Sequence, residues 1–127
     1  MTEPGRIVGK SILLVDDQME VRETIKMLLD LDAHHVTEAG NGKEAIEQFK
    51  LGHFDLVMTD YAMPGMRGDE LAAQLKQLAP TQPILMVTGS APESGARSYQ
   101  VDGTLRKPFL LNDLRQAVVH VLNAVPA

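Results

Sequence analysis

The chain has 127 residues, a length that suggests one domain, and at 44% hydrophobic residues it can bury a core. Its formal net charge of -5 argues against binding to a nucleic-acid backbone by this chain alone, and its apolar runs are too short for a membrane span. The absence of Cys excludes disulfides and thiolate metal sites, and it fits a reducing, cytoplasmic location.

Short runs rich in apolar and β-branched residues predict five strands. The runs are SILLV (11–15), HVTEA (35–39), FDLVMT (54–59), PILMVT (83–88) and GTLR (103–106). The first, third and fourth runs are almost continuously apolar, which is typical of strands that are covered on both faces.

Amphipathic helices are predicted between the strands. Their apolar faces comprise Val21, Ile25, Leu28 and Leu29, then Ala45, Ile46 and Phe49, then Leu71, Leu75, Leu78 and Ala79, and finally Leu111, Leu114, Val118, Val121, Leu122 and Val125. Asn41 is the predicted N-cap of the second helix, with Glu44 three residues later, and Pro80 ends the third. The segment 91–100 contains Pro and Gly and predicts only a short, weak helix.

Alternation of strands and helices predicts an α/β fold with a parallel sheet covered by helices on both faces. We expect one domain over residues 1–127, with a core from about 10 to 125, and no DNA-binding effector in this chain. Ligands of such sheets bind outside the carboxyl ends of the strands, so the residues just after each strand are the candidates for function.

Polar side chains lie directly after four of the predicted strands. The first strand ends at Asp16 and Asp17, the third at Asp60, the fourth at Thr88 and the fifth at Lys107. Because parallel strands bring their carboxyl ends to one edge, three carboxylates, a hydroxyl and an ammonium are expected to lie together there.

Three carboxylates in one crevice repel each other, by about 1 kcal/mol a pair at ~4 Å in water and by about 4 at an effective dielectric of ~20. Lys107 supplies one compensating charge, and a divalent cation with hard oxygen ligands, such as Mg²⁺, would supply the rest. A carboxylate flanked by a metal and a lysine suits phosphoryl transfer, with the carboxylate as nucleophile.

The motifs LLVDD, DLVMTDYAMPGMRG, ILMVTG and LRKPF occur in this order along the chain. Together they make the chain resemble the receiver domain of two-component response regulators over about residues 10–125. The resemblance implies a flavodoxin-like, doubly wound fold with five parallel strands in the order 2-1-3-4-5. It also implies a phosphoacceptor module of a phosphorelay that switches protein contacts, rather than an enzyme that turns over an external substrate.

The resemblance also implies specific roles. Asp60 would accept the phosphoryl group from a phosphohistidine of a histidine kinase or a histidine phosphotransfer protein. Asp17 and Asp60 would bind Mg²⁺ (or Mn²⁺) directly, together with the backbone carbonyl of Ala62, and Asp16 would act partly through metal-bound water.

The remaining implied roles concern the other end of the crevice. Lys107 would pair with Asp60 at rest and with the phosphoryl group afterwards, and Thr88 would move toward the phosphoryl group. The Lys107–Pro108 bond would be cis, which only an X-Pro bond adopts at low cost. The downstream protein partner is not identified by the sequence.

Departures from the family pattern lie near the same site. Thr104 stands where the family usually has an aromatic residue that responds to the threonine, and Tyr61 or Tyr99 could replace it. Ala62 and Ser90, at positions that influence the lifetime of the phosphorylated state, are both small. The chain between Thr88 and Lys107 is also shorter than is typical.

Several alternatives stay open. The chain could be a stand-alone regulator or the receiver of a hybrid histidine kinase. It could be a pseudo-receiver that keeps the fold without phosphorylation. An aspartate-dependent phosphatase of the haloacid dehalogenase type would need an acid at the position of Ala62, and a flavodoxin-like cofactor binder would not place Asp16 and Asp17 in its first loop. The histidines, His34 included, are interpreted as structural or solvent-facing.

Overall fold

A computed structural model describes residues 6–89 and 100–123 of the chain. The predicted weak helix at 91–100 lies outside these ranges apart from residue 100, as do Ser90, Tyr99 and Val125. Within the described ranges, no helix is both long enough and apolar enough to cross a membrane.

Strands and helices alternate as predicted from the first strand to the fourth, and most of the segment between the fourth and fifth strands lies outside the described residues. The elements are β1 (Ser11–Val15), α1 (Met19–Asp30), β2 (His35–Ala39), α2 (Gly42–Leu51), β3 (Leu56–Asp60), α3 (Gly68–Leu78), β4 (Ile84–Thr88), β5 (Gly103–Arg106) and α4 (Leu111–Asn123). All five strands are parallel and form one sheet in the order β2-β1-β3-β4-β5, which confirms the predicted topology.

The sheet separates two apolar cores, because successive side chains of a strand point to opposite faces. Ile12 and Leu14 pack with α1 and α4 on one face, whereas Leu13 and Val15 pack with α2 and α3 on the other. β3 is buried along its whole length between these two layers. The central strands are therefore rigid supports for the loops at their carboxyl ends.

Two local predictions are wrong in detail. The third strand begins at Leu56 rather than at residue 54, since Phe54 leaves the sheet and stacks on Phe49 of α2, with ring centroids 6.4 Å apart. Leu78 was predicted on the buried face of the third helix but is 52% exposed, because it is the last residue of α3 and the buried face ends at Leu75. The N-cap at Asn41 is confirmed, since its side chain accepts a hydrogen bond from the Glu44 amide.

A buried ionic cluster joins the N-terminal segment, the α1–β2 turn and α4. The Asp32 carboxylate accepts hydrogen bonds from Arg6 and, at 2.9 and 3.0 Å, from Arg115. Burial raises the pKa of Asp32, but the two guanidinium groups outweigh it and hold the pKa below its usual value. Two residues on, His34 is buried, and its Nδ1 accepts a hydrogen bond from the Lys10 amide. Burial lowers the pKa of His34.

Candidate functional site

Three carboxylates meet at the carboxyl ends of the two central strands. Asp16 comes directly after β1, and Asp60 is the last residue of β3. Both are buried, at 1% and 8% exposure, whereas the adjacent Asp17 is exposed. One oxygen from each carboxylate lies within 4.8 Å of the others. These three aspartates are called the acidic triad below.

Lys107 enters the acidic triad from the loop after β5. Its Nζ lies 3.2 Å from Asp60 Oδ1 and 3.5 Å from Asp16 Oδ2. Burial raises the pKa of Asp60, and the negative charges of Asp16 and Asp17 add to that rise, while Lys107 opposes it. The pKa of Asp60 is raised overall, so the single ammonium of Lys107 does not fully compensate the burial of Asp60 and its repulsion from the other two carboxylates.

Asp16 is held by three separate contacts. Its amide donates to the carbonyl of Ala39 at the end of β2, and its Oδ1 accepts from the Gln18 amide at 2.9 Å. Its carbonyl oxygen accepts from Arg22 Nη1 at 2.7 Å. Since Asp16 Oδ1 is occupied by the Gln18 amide, Oδ2 is the carboxylate oxygen that lies near Lys107.

The loop after Asp60 is anchored on both sides. The Tyr61 amide donates to the Val87 carbonyl of β4, and the Gly68 amide donates to the Tyr61 carbonyl. A Cβ on Gly68 would collide with the carbonyl oxygen of Asp60, so glycine is needed for this close approach. Ala62 lies in this loop and is exposed.

The other predicted residues lie on β4 and β5. Thr88 ends β4, and its carbonyl accepts a hydrogen bond of 2.7 Å from the Lys107 amide, which places the two residues side by side. The Lys107–Pro108 bond is cis, as predicted. Thr104 is exposed on β5 and pairs in register with Met86 of β4. The guanidinium of Arg67 lies 6.0 Å from the centroid of the Tyr61 ring.

The donor set of the acidic triad fits a hard divalent cation. It offers three carboxylate oxygens close together and no softer ligand, which is the chemistry that Mg²⁺ and Mn²⁺ prefer. At 4.8 Å, the upper limit within the triad, the two buried carboxylates of Asp16 and Asp60 would repel by about 3.5 kcal/mol at an effective dielectric of about 20. A cation bound between them would remove this cost.

An apolar groove of about 580 Å³ borders the acidic triad. It lies between α1 and residues 107–109, and Lys107 is part of its wall. The apolar part of the wall comes from Val21, Ile25 and Leu28 of α1 together with Phe109. A larger groove of about 670 Å³ lies at the amino ends of the strands and includes none of the predicted site residues, so the smaller groove is the relevant one.

The residues that support the triad were not predicted from the sequence. Arg22 and Gly68 contact the backbone at Asp16 and Asp60, yet each lies several residues away from the aspartate that it supports. Neither contact leaves a pattern in the sequence. The Arg22 contact depends on the packing of α1 near the ends of β1 and β2, and the Gly68 contact depends on the course of the loop after Asp60.

Comparisons with known proteins agree with this geometry. The family model described as response regulator receiver domain matches residues 12–119. The receiver protein CpdR of Brucella abortus is 36% identical, over 91% of this chain and 98% of its own length. The autoinducer 1 sensor kinase/phosphatase LuxN of Vibrio harveyi is also 36% identical, over 89% of this chain, but this chain spans only 14% of its length.

Solved structures are similar over almost the whole fold. The response regulator TrrA of Thermotoga maritima, in complex with Mg²⁺ and BeF, superposes with a TM-score of 0.83 at 32% identity, over 89% of this chain and 99% of that one. The chemotaxis protein CheY4 of Vibrio cholerae gives a TM-score of 0.83 at 28% identity, over 91% of this chain and all of that one. By its sequence and its fold, the chain belongs to the response regulator receiver domain family.

Proposed function

We propose that this domain accepts a phosphoryl group on Asp60 from a phosphohistidine, with a divalent cation at the acidic triad, and that phosphorylation changes its contacts with a partner protein. The observation that carries the proposal is the acidic triad with Lys107 Nζ 3.2 Å from Asp60 Oδ1, in a member of the receiver family. We expect this phosphoryl transfer to occur in the cytoplasm.

Asp60 is the proposed nucleophile. A carboxylate oxygen of Asp60 would form a bond to phosphorus while the bond between phosphorus and the imidazole nitrogen breaks, and the imidazole leaves. Burial raises the pKa of Asp60, so its oxygen is more basic than that of an ordinary aspartate. The loop contacts at Tyr61 and Gly68 keep the backbone in place while the charge on the side chain changes.

Lys107 and Thr88 are the proposed contacts of the transferred group. Lys107 Nζ already lies beside Asp60 Oδ1, so a short movement would bring it to a phosphoryl oxygen. Thr88 lies next to Lys107 on the adjoining strand and would donate its hydroxyl hydrogen to another oxygen. Together they would replace part of the water that solvates the group before transfer.

Asp16, Asp17 and Asp60 are the proposed side-chain ligands of Mg²⁺ or Mn²⁺, with the backbone carbonyl of Ala62 as a further ligand. A cation bound there would neutralise negative charge on the phosphoryl oxygens during transfer. Asp16 is buried and Asp17 is exposed, so the triad is open to solvent on the side of Asp17. That open side is where a cation and a phosphoryl donor would arrive.

The apolar groove beside Lys107 is the proposed docking site of the phosphoryl donor. A helix that carries a phosphohistidine could place apolar residues against Val21, Leu28 and Phe109 while its imidazole faces Asp60.

The known relatives occur in both contexts that the sequence leaves open. CpdR is a receiver of about this length, and LuxN is a sensor kinase that contains a matching region. The proposal therefore concerns the domain, either alone or within a hybrid kinase, and its downstream partner is a protein. The exposed Ala62 offers no carboxylate for a haloacid-dehalogenase-type phosphatase, so turnover of an external substrate is not proposed.

Intact-mass measurement tests this proposal. The protein is incubated with Mg²⁺ and acetyl phosphate, and separately with a phosphorylated histidine phosphotransfer protein. We expect the mass of one phosphoryl group to be gained, the gain to depend on Mg²⁺, and Asp60→Asn to abolish it. Absence of any gain with every donor, in a protein that is folded and binds Mg²⁺, would instead support the pseudo-receiver.

A further inference from the structure

Arg22 on α1 connects the loop of the acidic triad to the end of β2. Its Nη1 donates to the carbonyl oxygen of Asp16 at 2.7 Å, and its Nε donates to Glu38 Oε1 at 3.0 Å. The side chain of Arg22 is only 17% exposed. Because a guanidinium presents its N–H groups in a fixed plane, the two contacts together set the position of the Asp16 carbonyl relative to β2.

The Asp16 carbonyl is covalently joined to the next residue of the triad. Its carbon and oxygen belong to the same planar peptide unit as the amide nitrogen of Asp17. Holding that carbonyl fixes the plane of the unit, and with it the point from which the Asp17 side chain extends. Within residues 6–89 and 100–123, the carboxylate of Asp17 accepts no hydrogen bond of its own, so its position depends on the backbone.

The charge of Arg22 would by itself act in the opposite direction. A cation near the triad repels a second cation, so an unpaired Arg22 would weaken the binding of Mg²⁺. Glu38 pairs with the guanidinium at 3.0 Å and offsets that charge. The two effects therefore predict opposite signs when Arg22 is removed: the loss of positioning weakens cation binding, and the loss of charge strengthens it.

We propose that Arg22 is a positioning residue for the metal ligand Asp17, acting through the Asp16–Asp17 peptide unit, with Glu38 as the partner that orients and neutralises it. The role of Asp17 as a ligand rests on the function proposed above. Groups that orient metal ligands typically change metal affinity by about 10- to 100-fold when removed. Since Arg22 acts through one peptide unit, we expect a loss at the lower end, about 10-fold.

The first test measures the Mg²⁺ dissociation constant by NMR titration of the folded protein. The variants are Arg22→Gln, Arg22→Lys and the control Lys26→Gln, which removes one positive charge from the next turn of α1. Lys26 pairs with Asp30 on the exposed face of the helix. We expect Arg22→Gln to bind about 10-fold more weakly and the control to change by less than about twofold.

Arg22→Lys separates geometry from charge. It keeps the positive charge, but an ammonium cannot hold both acceptors in the plane of a guanidinium, so we expect Mg²⁺ binding weaker than in the wild type. If Arg22→Gln does not fold, Arg22→Lys alone tests whether Arg22 positions the metal ligand. Mg²⁺ binding as tight as, or tighter than, that of the wild type in either folded variant would overturn the proposal.

A second test uses the protein without metal. Hydrogen exchange of the Asp16 amide, which donates to the Ala39 carbonyl at 3.1 Å, is compared among the wild type, Arg22→Gln, Arg22→Lys and Lys26→Gln in the presence of EDTA. We expect faster exchange in both Arg22 variants and unchanged exchange in the control. Unchanged exchange in the Arg22 variants would overturn the positioning role. A wild-type protein that binds no Mg²⁺ would contradict the proposed function, while this readout still tests the effect of Arg22 on the loop.

Discussion

Removal of the Asp17 carboxylate is expected to make the protein more stable than wild type without metal. When Mg²⁺ is present, the same variant is expected to be less stable than wild type. Asp17 is exposed and lies within 4.8 Å of the other two triad carboxylates, so its repulsion from each is close to the value in water, about 1 kcal/mol. The attraction of Lys107 offsets about one of these two terms. Asp17→Asn should therefore raise the free energy of unfolding by about 1 kcal/mol without metal.

The same change should remove most of the stabilisation by Mg²⁺. A cation at about 100 times its dissociation constant stabilises the folded protein by about 2.7 kcal/mol. For a chain of 127 residues, 1 kcal/mol corresponds to about 4 °C in Tm, so wild type should gain about 10 °C on saturation. Without metal, the variant should melt about 4 °C above wild type, and with saturating Mg²⁺ it should melt below it.

The assay is thermal unfolding followed by circular dichroism, in EDTA and in MgCl₂, with KCl added to equalise the ionic strength. Glu47→Gln is the matched control, because it removes one negative charge from the exposed face of α2, away from the triad. Its melting curves should shift with Mg²⁺ as those of wild type do. Equal Mg²⁺ shifts in wild type and in Asp17→Asn would refute the assignment of Asp17 to the metal site.

Three further predictions concern the groups around this site and the fold that carries it. Because the pKa of Asp60 is raised in the folded protein, its ionisation costs stability as pH rises, so the advantage of metal-free Asp60→Asn over wild type in urea unfolding should grow from about pH 4 and level off above the folded-state pKa. The pKa of Asp32 is lowered, so its contribution to stability is present at neutral pH and is lost as pH falls through the folded-state pKa. Asp32→Asn should cost about 2 kcal/mol at pH 7 and little in acid; the cost at pH 7 is below that of a fully buried ion pair because the two arginines are partly exposed. Gly68→Ala should cost about 1–3 kcal/mol in the same unfolding assay and weaken Mg²⁺ binding, because the new Cβ collides with the Asp60 carbonyl oxygen. Gly40→Ala meets only an ordinary contact of 3.6 Å with Arg22 Nη1 and should be nearly neutral in the unfolding assay. A flat pH dependence for either aspartate variant, or equal effects of the two alanine substitutions, would contradict these assignments.

The fold could be predicted because its signals are local. The apolar runs of β1 and β3 are buried on both faces, and a run of that kind is recognisable without knowledge of its neighbours. The prediction failed where a side chain left the local pattern. Phe54 continues the apolar run before β3, yet it stacks on Phe49 of α2 rather than extending the strand. Only the packed structure decides between these two outcomes.

The acidic triad could also be predicted, since parallel strands must bring their carboxyl ends to one edge. The support of the triad could not. Arg22 contacts Asp16 and Glu38 only because α1 lies across the ends of β1 and β2, which is a tertiary relation. The same holds for Asp32, which has the sequence context of an ordinary turn residue and is buried between two arginines in the structure.

The central claim is that Asp60 carries the phosphoryl group. The most direct measurement is transfer from a phosphorylated histidine phosphotransfer protein in Mg²⁺, reduction of the product with borohydride, and peptide mass spectrometry. Borohydride reduces an aspartyl phosphate to homoserine, so the modified residue is identified directly. We expect homoserine at position 60 and no modification at Asp16 or Asp17. Homoserine at either of those positions, or unmodified Asp60 in a protein that has gained the phosphoryl group, would contradict the claim.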